Sequence, residues 1–249
     1  MKKFVAILTA LLLVLSISAV SAEAAYTTVE AGKLSLSTSP DFPPFENTDD
    51  EGNIVGIEPD LLAIIGERLG LEINWMAMDF DSALLAPQTG KADAVVSGVT
   101  VREDRKAMFD FTHTYVSIHQ AIVCKEDADI SMDNLGQQII GVQNGTTGHI
   151  YAEEDFGEDA VRSYNTYSVA FLALQNGQVD CVLLDDMVAK AYAKTIPGLK
   201  VVETTYEAED FAFGVSKGNT GLVDAINAVL DELIADGTVE AIILKHTMD

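Results

Sequence analysis

The chain has 249 residues, 48% of them hydrophobic, with 39 acidic against 15 basic side chains and a net charge of −24. So acidic a surface repels nucleic acid and anionic lipid, which excludes both as partners expected from charge, and it favours solubility outside the cell. It does not identify a ligand, because surface charge is not pocket charge.

Lys2 and Lys3 open the chain, an apolar run from Phe4 to Val20 follows, and the small residues of VSAEAA offer cleavage after Ala22 or Ala24. Basic, then apolar, then small is the order of a secretory signal peptide, here 1–24. The other reading is an uncleaved anchor, since the apolar run is nearly long enough to span a bilayer. No cysteine lies near the exit, so a lipid anchor is not expected, and no later segment is apolar for long enough to cross a membrane.

After this leader, LSLST alternates as a strand, and SPDFPPFEN follows as a proline-stiffened turn carrying Phe42 and Phe45. TDDEGN reads as a hairpin turn and IVGI as a short strand. EPDLLAIIGERLGL reads as a helix with Leu61, Leu62, Ile64, Ile65 and Leu69 on one face and Gly70 as its stop. LEINWMAM is a strand, Asp81 is placed to cap a helix through SALLAPQ, and DAVVSGVT is an apolar strand. The pattern then restarts with strand QAIVCK, a helical turn at Asp133, strand QQIIGV, turn NGTTG and helix HIYAEEDF. SYNTYSVAFLALQNG reads as one helix with Val169, Leu172 and Leu174 inward; strand VDCVLLDD, helix DMVAKAYAKTI and strand LKVVET follow. AFGVSK is a strand, LVDAINAVLDELIADG an amphipathic helix and EAIILKHT a last one.

This alternation predicts two α/β units with a cleft between them. Ligands of open α/β sheets sit beyond the carboxyl ends of the strands. SPDF, SGVT, QNGTT and LLDD each follow a predicted strand, so the chemistry belongs there. Within SGVTVREDR, Gly98 lets backbone approach a ligand, Thr100 can donate and accept, and Arg105 offers a planar fork that fits a carboxylate; a solvated surface turn is the bland alternative. Cys124 and Cys181 both lie in apolar strand-like runs, where an exported chain could hold either a disulfide or buried thiols. The four histidines are scattered without metal-ligand spacing, so no metal and no cofactor is expected.

The run SGVTVREDRKAMFDFTHTYV resembles a segment of the polar amino-acid-binding family of extracellular solute-binding proteins, family 3, which serve ABC importers. STSPDFPPFEN, GNIVGIEPDLLAIIGERLGL, DFDSALLAPQTGKADAVVSG, VQNGTTG and GQVDCVLLDD resemble other blocks of that family in order and spacing, across residues 33–249. The resemblance implies a two-lobed α/β periplasmic-binding-protein fold of the type II, flytrap kind, with a hinge of two crossing segments. Lobe one is expected over 33–114 plus 212–249, lobe two over 120–207, and the hinge at 115–119 and 208–211.

It further implies that Arg105 binds an α-carboxylate, helped by Thr100 and the amides around Thr146 and Thr147, while Asp185 binds the α-ammonium with the Gly98 carbonyl and the Thr100 hydroxyl. Phe42 and Phe80 would sandwich the side chain, Ser97 and Gln143 would add polar contacts, and Phe45 would pack into lobe one. The plainer alternatives are core packing for the two rings, a loop polar at Gln143, and a helix cap at Asp185, a role Asp186 fits better. The family often carries an acid where this chain has Ser39, and a basic residue and a histidine where its glutamine binders have them and this chain has Gln143 and Leu184. These departures argue against tight selection of glutamine or arginine, unless Asp41 or Asp186 compensates, and leave a polar amino acid as the expected ligand. The implied partners are that free amino acid and the permease subunits of an ABC transporter, with the protein a monomer in the periplasm or on the outer face of the cell membrane. Two alternatives are an enzyme on the same scaffold, a dehydratase of a cyclohexadienyl acid, and a sensory module that presents its closed form to a separate receptor. The enzyme needs a positioned acid or base, for which Asp185, Asp186 and His113 are at hand but no nucleophile–base pair is.

Overall fold

The structure, a computed structural model, describes residues 26–248, so the signal-peptide expectation lies outside the described residues. Two five-stranded sheets organise the chain. The first runs Glu72–Ala77, Lys33–Thr38, Ala94–Val95, Gly214–Ser216, Phe109–Phe111 in spatial order, and the second Val161–Tyr164, Ile140–Gln143, Cys181–Asp185, Gln120–Lys125, Leu199–Glu203. Pairing directions show that in each sheet one strand opposes the other four: Gly214–Ser216 in the first and Gln120–Lys125 in the second. Those two are the strands by which the chain arrives from the other sheet. Just before them lie Glu209–Phe211 and Val116–Ile118, which pair with each other as a two-stranded antiparallel ladder. The fold is thus two α/β lobes joined by two crossing segments.

Local chemistry explains the elements. In Ile57–Leu69 the buried Ile57, Leu61, Leu62 and Ile65 recur at helical spacing, and Gly70 ends the helix in the left-handed region at φ 68°. Helices Thr220–Ala235 and Thr238–Thr247 pack against it, tied by Arg68–Glu232 and by Lys245 and His246 on Asp60. Phe45 is fully buried in the first lobe.

Four expectations are corrected. The one helix expected over SYNTYSVAFLALQNG is a strand, Val161–Tyr164, then a helix, Tyr167–Gln175, capped by the Thr166 hydroxyl. Its inward stripe is Tyr167, Ala170, Phe171 and Leu174, whereas Val169 and Leu172 are 46% and 55% exposed. The cap of helix Phe80–Leu85 falls at Asp79 rather than Asp81, and DAVVSGVT holds strand geometry only at Ala94–Val95, its polar half turning into the cleft. Cys124 and Cys181 stand opposite each other on neighbouring strands as free, buried thiols.

Candidate functional site

Both lobes direct the carboxyl ends of their parallel strands at one nearly closed cavity. Its walls are Ser39, Phe42, Phe80, Ser97, Gly98, Thr100 and Arg105 from the first lobe and Gln143, Thr146, Thr147 and Asp185 from the second. All eleven residues singled out from the sequence therefore meet in one place, from positions up to 146 residues apart, Ser39 to Asp185.

The first-lobe side is built on a glycine in the left-handed region. Gly98 has φ +55°, and a Cβ there would lie 2.4 Å from Phe42 Cε1, so only glycine lets that ring rest on the backbone. Phe42 stacks on Phe45 behind it and on Tyr167 of the other lobe, both at 5.7 Å between centroids. Phe42 is thus packed on one side and part of the cavity wall on the other. Ser97 Oγ accepts from the Ser39 amide at 3.0 Å and donates to Glu46 at 2.8 Å, while the Gly98 amide donates to Glu58 at 3.1 Å.

Arg105 is 3% exposed on a single turn, Glu103–Lys106. Its guanidinium donates to the Thr100 carbonyl at 3.2 Å and across the cleft to the Gly145 carbonyl at 3.0 Å, and lies 5.6 Å from the centroid of the Phe80 ring. Burial, reinforced by Arg102, pushes its pKa down to about 10, against the opposing pull of Asp104, Glu209 and Asp185. It stays fully charged at neutral pH.

On the second-lobe side Thr146 caps helix Thr147–Phe156: its hydroxyl accepts from the His149 amide at 3.1 Å and donates to the Gln143 carbonyl at 2.9 Å. Gln143 Nε2 donates to the Asn165 carbonyl at 3.0 Å and reaches Ser39 Oγ at 3.4 Å. That orientation leaves its carbonyl oxygen as the acceptor on this wall. Asp185, 4% exposed, ends its strand at the cap position of helix Asp186–Thr195 but makes no capping bond. Its carboxylate instead accepts from Gln120 Nε2 at 2.7 Å. Burial first and the nearby Glu209 charge second hold its pKa well above the usual carboxylate range. Asp186 turns to the His119 amide and Lys190, away from the cavity.

Two residues escaped the sequence reading. Glu209, 6% exposed on a crossing segment, accepts from the Thr100 hydroxyl at 3.0 Å, and its Oε1 has no partner among the described residues. Gln120 joins Asp185 to Thr147, whose hydroxyl it reaches at 3.2 Å. The signal that could have found Gln120 is its register opposite Asp185 at a strand end. No periodicity marks Glu209. The site thus sets one guanidinium against two carboxylates in a desolvated cleft, with further contacts closing it: the Ser168 amide donates to Asp41 at 3.2 Å and the Tyr192 hydroxyl to the Asp41 carbonyl at 2.8 Å. Among the described residues no group of three or more metal-ligating side chains is present.

A two-lobed α/β fold with a polar cavity at the strand ends of both lobes is that of a solute-binding protein. Residues 34–249 match the bacterial extracellular solute-binding proteins, family 3, and the chain belongs to that family. It is 31% identical over 217 residues to ABC transporter arginine-binding protein 1 of Escherichia coli (strain K12), covering 85% of this chain and 89% of that protein. An ancestral arginine-binding protein bound to glutamine superposes with a TM-score of 0.83 at 37% identity, over 88% of this chain and 100% of that one. An ancestral arginine-binding protein bound to arginine gives 0.82 at 38% identity, over 86% and 98%. These relatives are binding proteins, which favours solute binding over the dehydratase alternative.

Proposed function

We propose that this protein is exported, captures one polar L-amino acid between its lobes, and hands it as a monomer to the permease of an ABC transporter. The observation that carries the reading is that Arg105 and Asp185, buried and of opposite charge, face one cavity from different sheets. An α-amino acid carries an anion and a cation on one carbon, and a desolvated cleft must pair both. Arg105 takes the carboxylate, with Thr100 and the amides at the start of helix Thr147–Phe156. Asp185 takes the ammonium, supported by the Gly98 carbonyl and the Thr100 hydroxyl. The side chain lies between Phe42 and Phe80 and ends at Ser39, Ser97 and Gln143.

The wall at that end favours a side chain that donates hydrogen bonds. Gln143 presents its carbonyl oxygen, and Asp41 stands behind Ser39, whose hydroxyl it holds at 3.4 Å. Two carboxylates against one guanidinium also favour a ligand with extra positive charge. Arginine and glutamine, each bound in a solved relative, are the first candidates. Lobe one is 33–114 with 212–249 and lobe two 120–207, with bending assigned to 115–119 and 208–211, a division supported by the membership of the two sheets and the crossing ladder. A ligand that bridges the lobes stabilises the closed form only when present.

Isothermal titration of the purified protein with a panel of L-amino acids tests the reading. One polar amino acid should bind at one per chain, and Arg105→Ala or Asp185→Ala should abolish the heat. Silence across the panel, or binding that survives both substitutions, contradicts it.

A further inference from the structure

Behind the cavity floor lie two fully buried glutamates, Glu46 at the start of strand Glu46–Thr48 and Glu58 in the first turn of helix Ile57–Leu69. One oxygen of each is spoken for. Glu46 Oε1 accepts from the Ser97 hydroxyl at 2.8 Å, and Glu58 Oε1 accepts from the Gly98 amide at 3.1 Å and from the Tyr115 hydroxyl. The other oxygen of each, Oε2, has no partner among the described residues, and the donors that hold the two carboxyls, Ser97 and Gly98, are consecutive in the chain, which brings the two acids to one buried corner. Two ionised carboxylates cannot share such a site: each is desolvated and each repels the other. A donor between the facing oxygens resolves both problems at once.

We propose that Glu46 and Glu58 hold a single proton between their facing oxygens, and that this one donor keeps the Ser97–Gly98 floor of the cleft in its binding geometry. They are positioning residues: neither touches the cavity. The claim that affinity follows the floor rests on the ligand reading above. The groups facing the pair leave no other source of charge balance. Asp41 lies near Glu46, Tyr115 is a neutral phenol whose ionisation burial opposes, and among the described residues neither glutamate has an ion-pair partner. Burial first, then the Glu58 charge, raises Glu46 well above the usual carboxylate range, in the direction the shared proton requires.

Counting donors gives the test. In Glu46→Gln or Glu58→Gln, the amide oxygen keeps the outward bonds and the amide NH2 replaces the shared proton. Each single variant should weaken binding of L-arginine or L-glutamine by only about threefold. In the double variant two NH2 groups face each other with no acceptor, so affinity should fall about tenfold further than the two single losses multiplied. Charge repulsion alone demands the reverse, with the uncharged double variant the best of the three. The pH profile is a second readout. A raised folded-state pKa means stability is present while the proton is held and is lost as pH rises through that pKa. Wild type should therefore lose affinity and unfolding midpoint on the alkaline side more steeply than the single variants, in which Asp185 and Arg105 still titrate but the shared proton does not. A double variant no worse than the singles, or identical alkaline profiles for wild type and singles, overturns the proposal. Infrared spectra need no ligand: wild type at neutral pH should show a neutral carboxylic-acid C=O component that each single variant lacks. If neither amino acid binds wild type, the ligand reading alone fails, and the infrared component with the unfolding midpoints still decides on the pair.

Discussion

The two lobes share a sheet plan and differ in what they hold out to the cleft. Each has three adjacent parallel strands, then one reversed strand delivered from the other lobe, then an edge strand. Yet the first lobe presents rings, a guanidinium and a glycine floor, while the second presents the start of a helix, an amide and a carboxylate. One topology thus supplies two chemistries, because loops beyond strand ends vary without disturbing the sheet. On the proposed reading, neither half alone pairs both charges of an amino acid.

Breaking either half at its charge gives the largest effect. Arg105→Ala or Asp185→Asn should weaken ligand binding at least a hundredfold, the scale of about 3–5 kcal/mol for orphaning a buried charge. Titration calorimetry reads this directly. The two should differ in the unliganded fold. Asp185 is raised well above the usual carboxylate range by burial, so its ionisation costs stability as pH rises, and Asp185→Asn should unfold at equal or higher denaturant at neutral pH. Next comes the floor. Gly98→Ala places a methyl against Phe42 at a φ of +55°, which should cost about 1–3 kcal/mol of stability in chemical denaturation and roughly tenfold in affinity. The bridge between lobes is smaller. Asp41→Ala removes the carboxylate from the Ser168 amide, and about 0.5–1.5 kcal/mol of closed-state stability, seen as faster ligand release in stopped-flow. Smallest is a clamp far from the cleft. Burial opposes ionisation of Asp60, but bonds from Lys245 and His246 outweigh it and hold its pKa below the usual range. Asp60→Asn should cost under about 1 kcal/mol at neutral pH, and that gap should close as pH falls through the acid range where the wild-type carboxylate protonates.

Much of the fold was legible because its signals are local. Ile57–Leu69 and Thr220–Ala235 carry apolar stripes at helical spacing, and Cys181–Asp185 is a wholly apolar run ending in an acid. Val161–Tyr164 was hidden because VRSY offers neither alternation nor an apolar run; only pairing beside Ile140–Gln143 makes it a strand. Val169 and Leu172 misled for a related reason. Their apolar side chains mimic a core face, while the true inward face is marked by Tyr167, Ala170 and Phe171. Of the eleven cavity residues, Gly98, Thr100 and Arg105 were legible from their chemistry at a strand end, and the roles of the rest came from family resemblance. What resemblance omitted was the support behind them. Glu209 meets Thr100 across 109 positions, and Ser97 meets Glu46 across 51. Such partners are set by tertiary proximity, which no short window of sequence encodes.

The most direct test of the central claim pairs a ligand change with a side-chain change. Take whichever amino acid binds, and its decarboxylated amine, and measure both against wild type, Arg105→Ala and Asp185→Asn. Wild type should prefer the amino acid strongly, Arg105→Ala should bind the two about equally, and Asp185→Asn should keep the preference at lower affinity for both. An Arg105→Ala protein that still favours the carboxylated ligand as strongly as wild type would contradict the clamp.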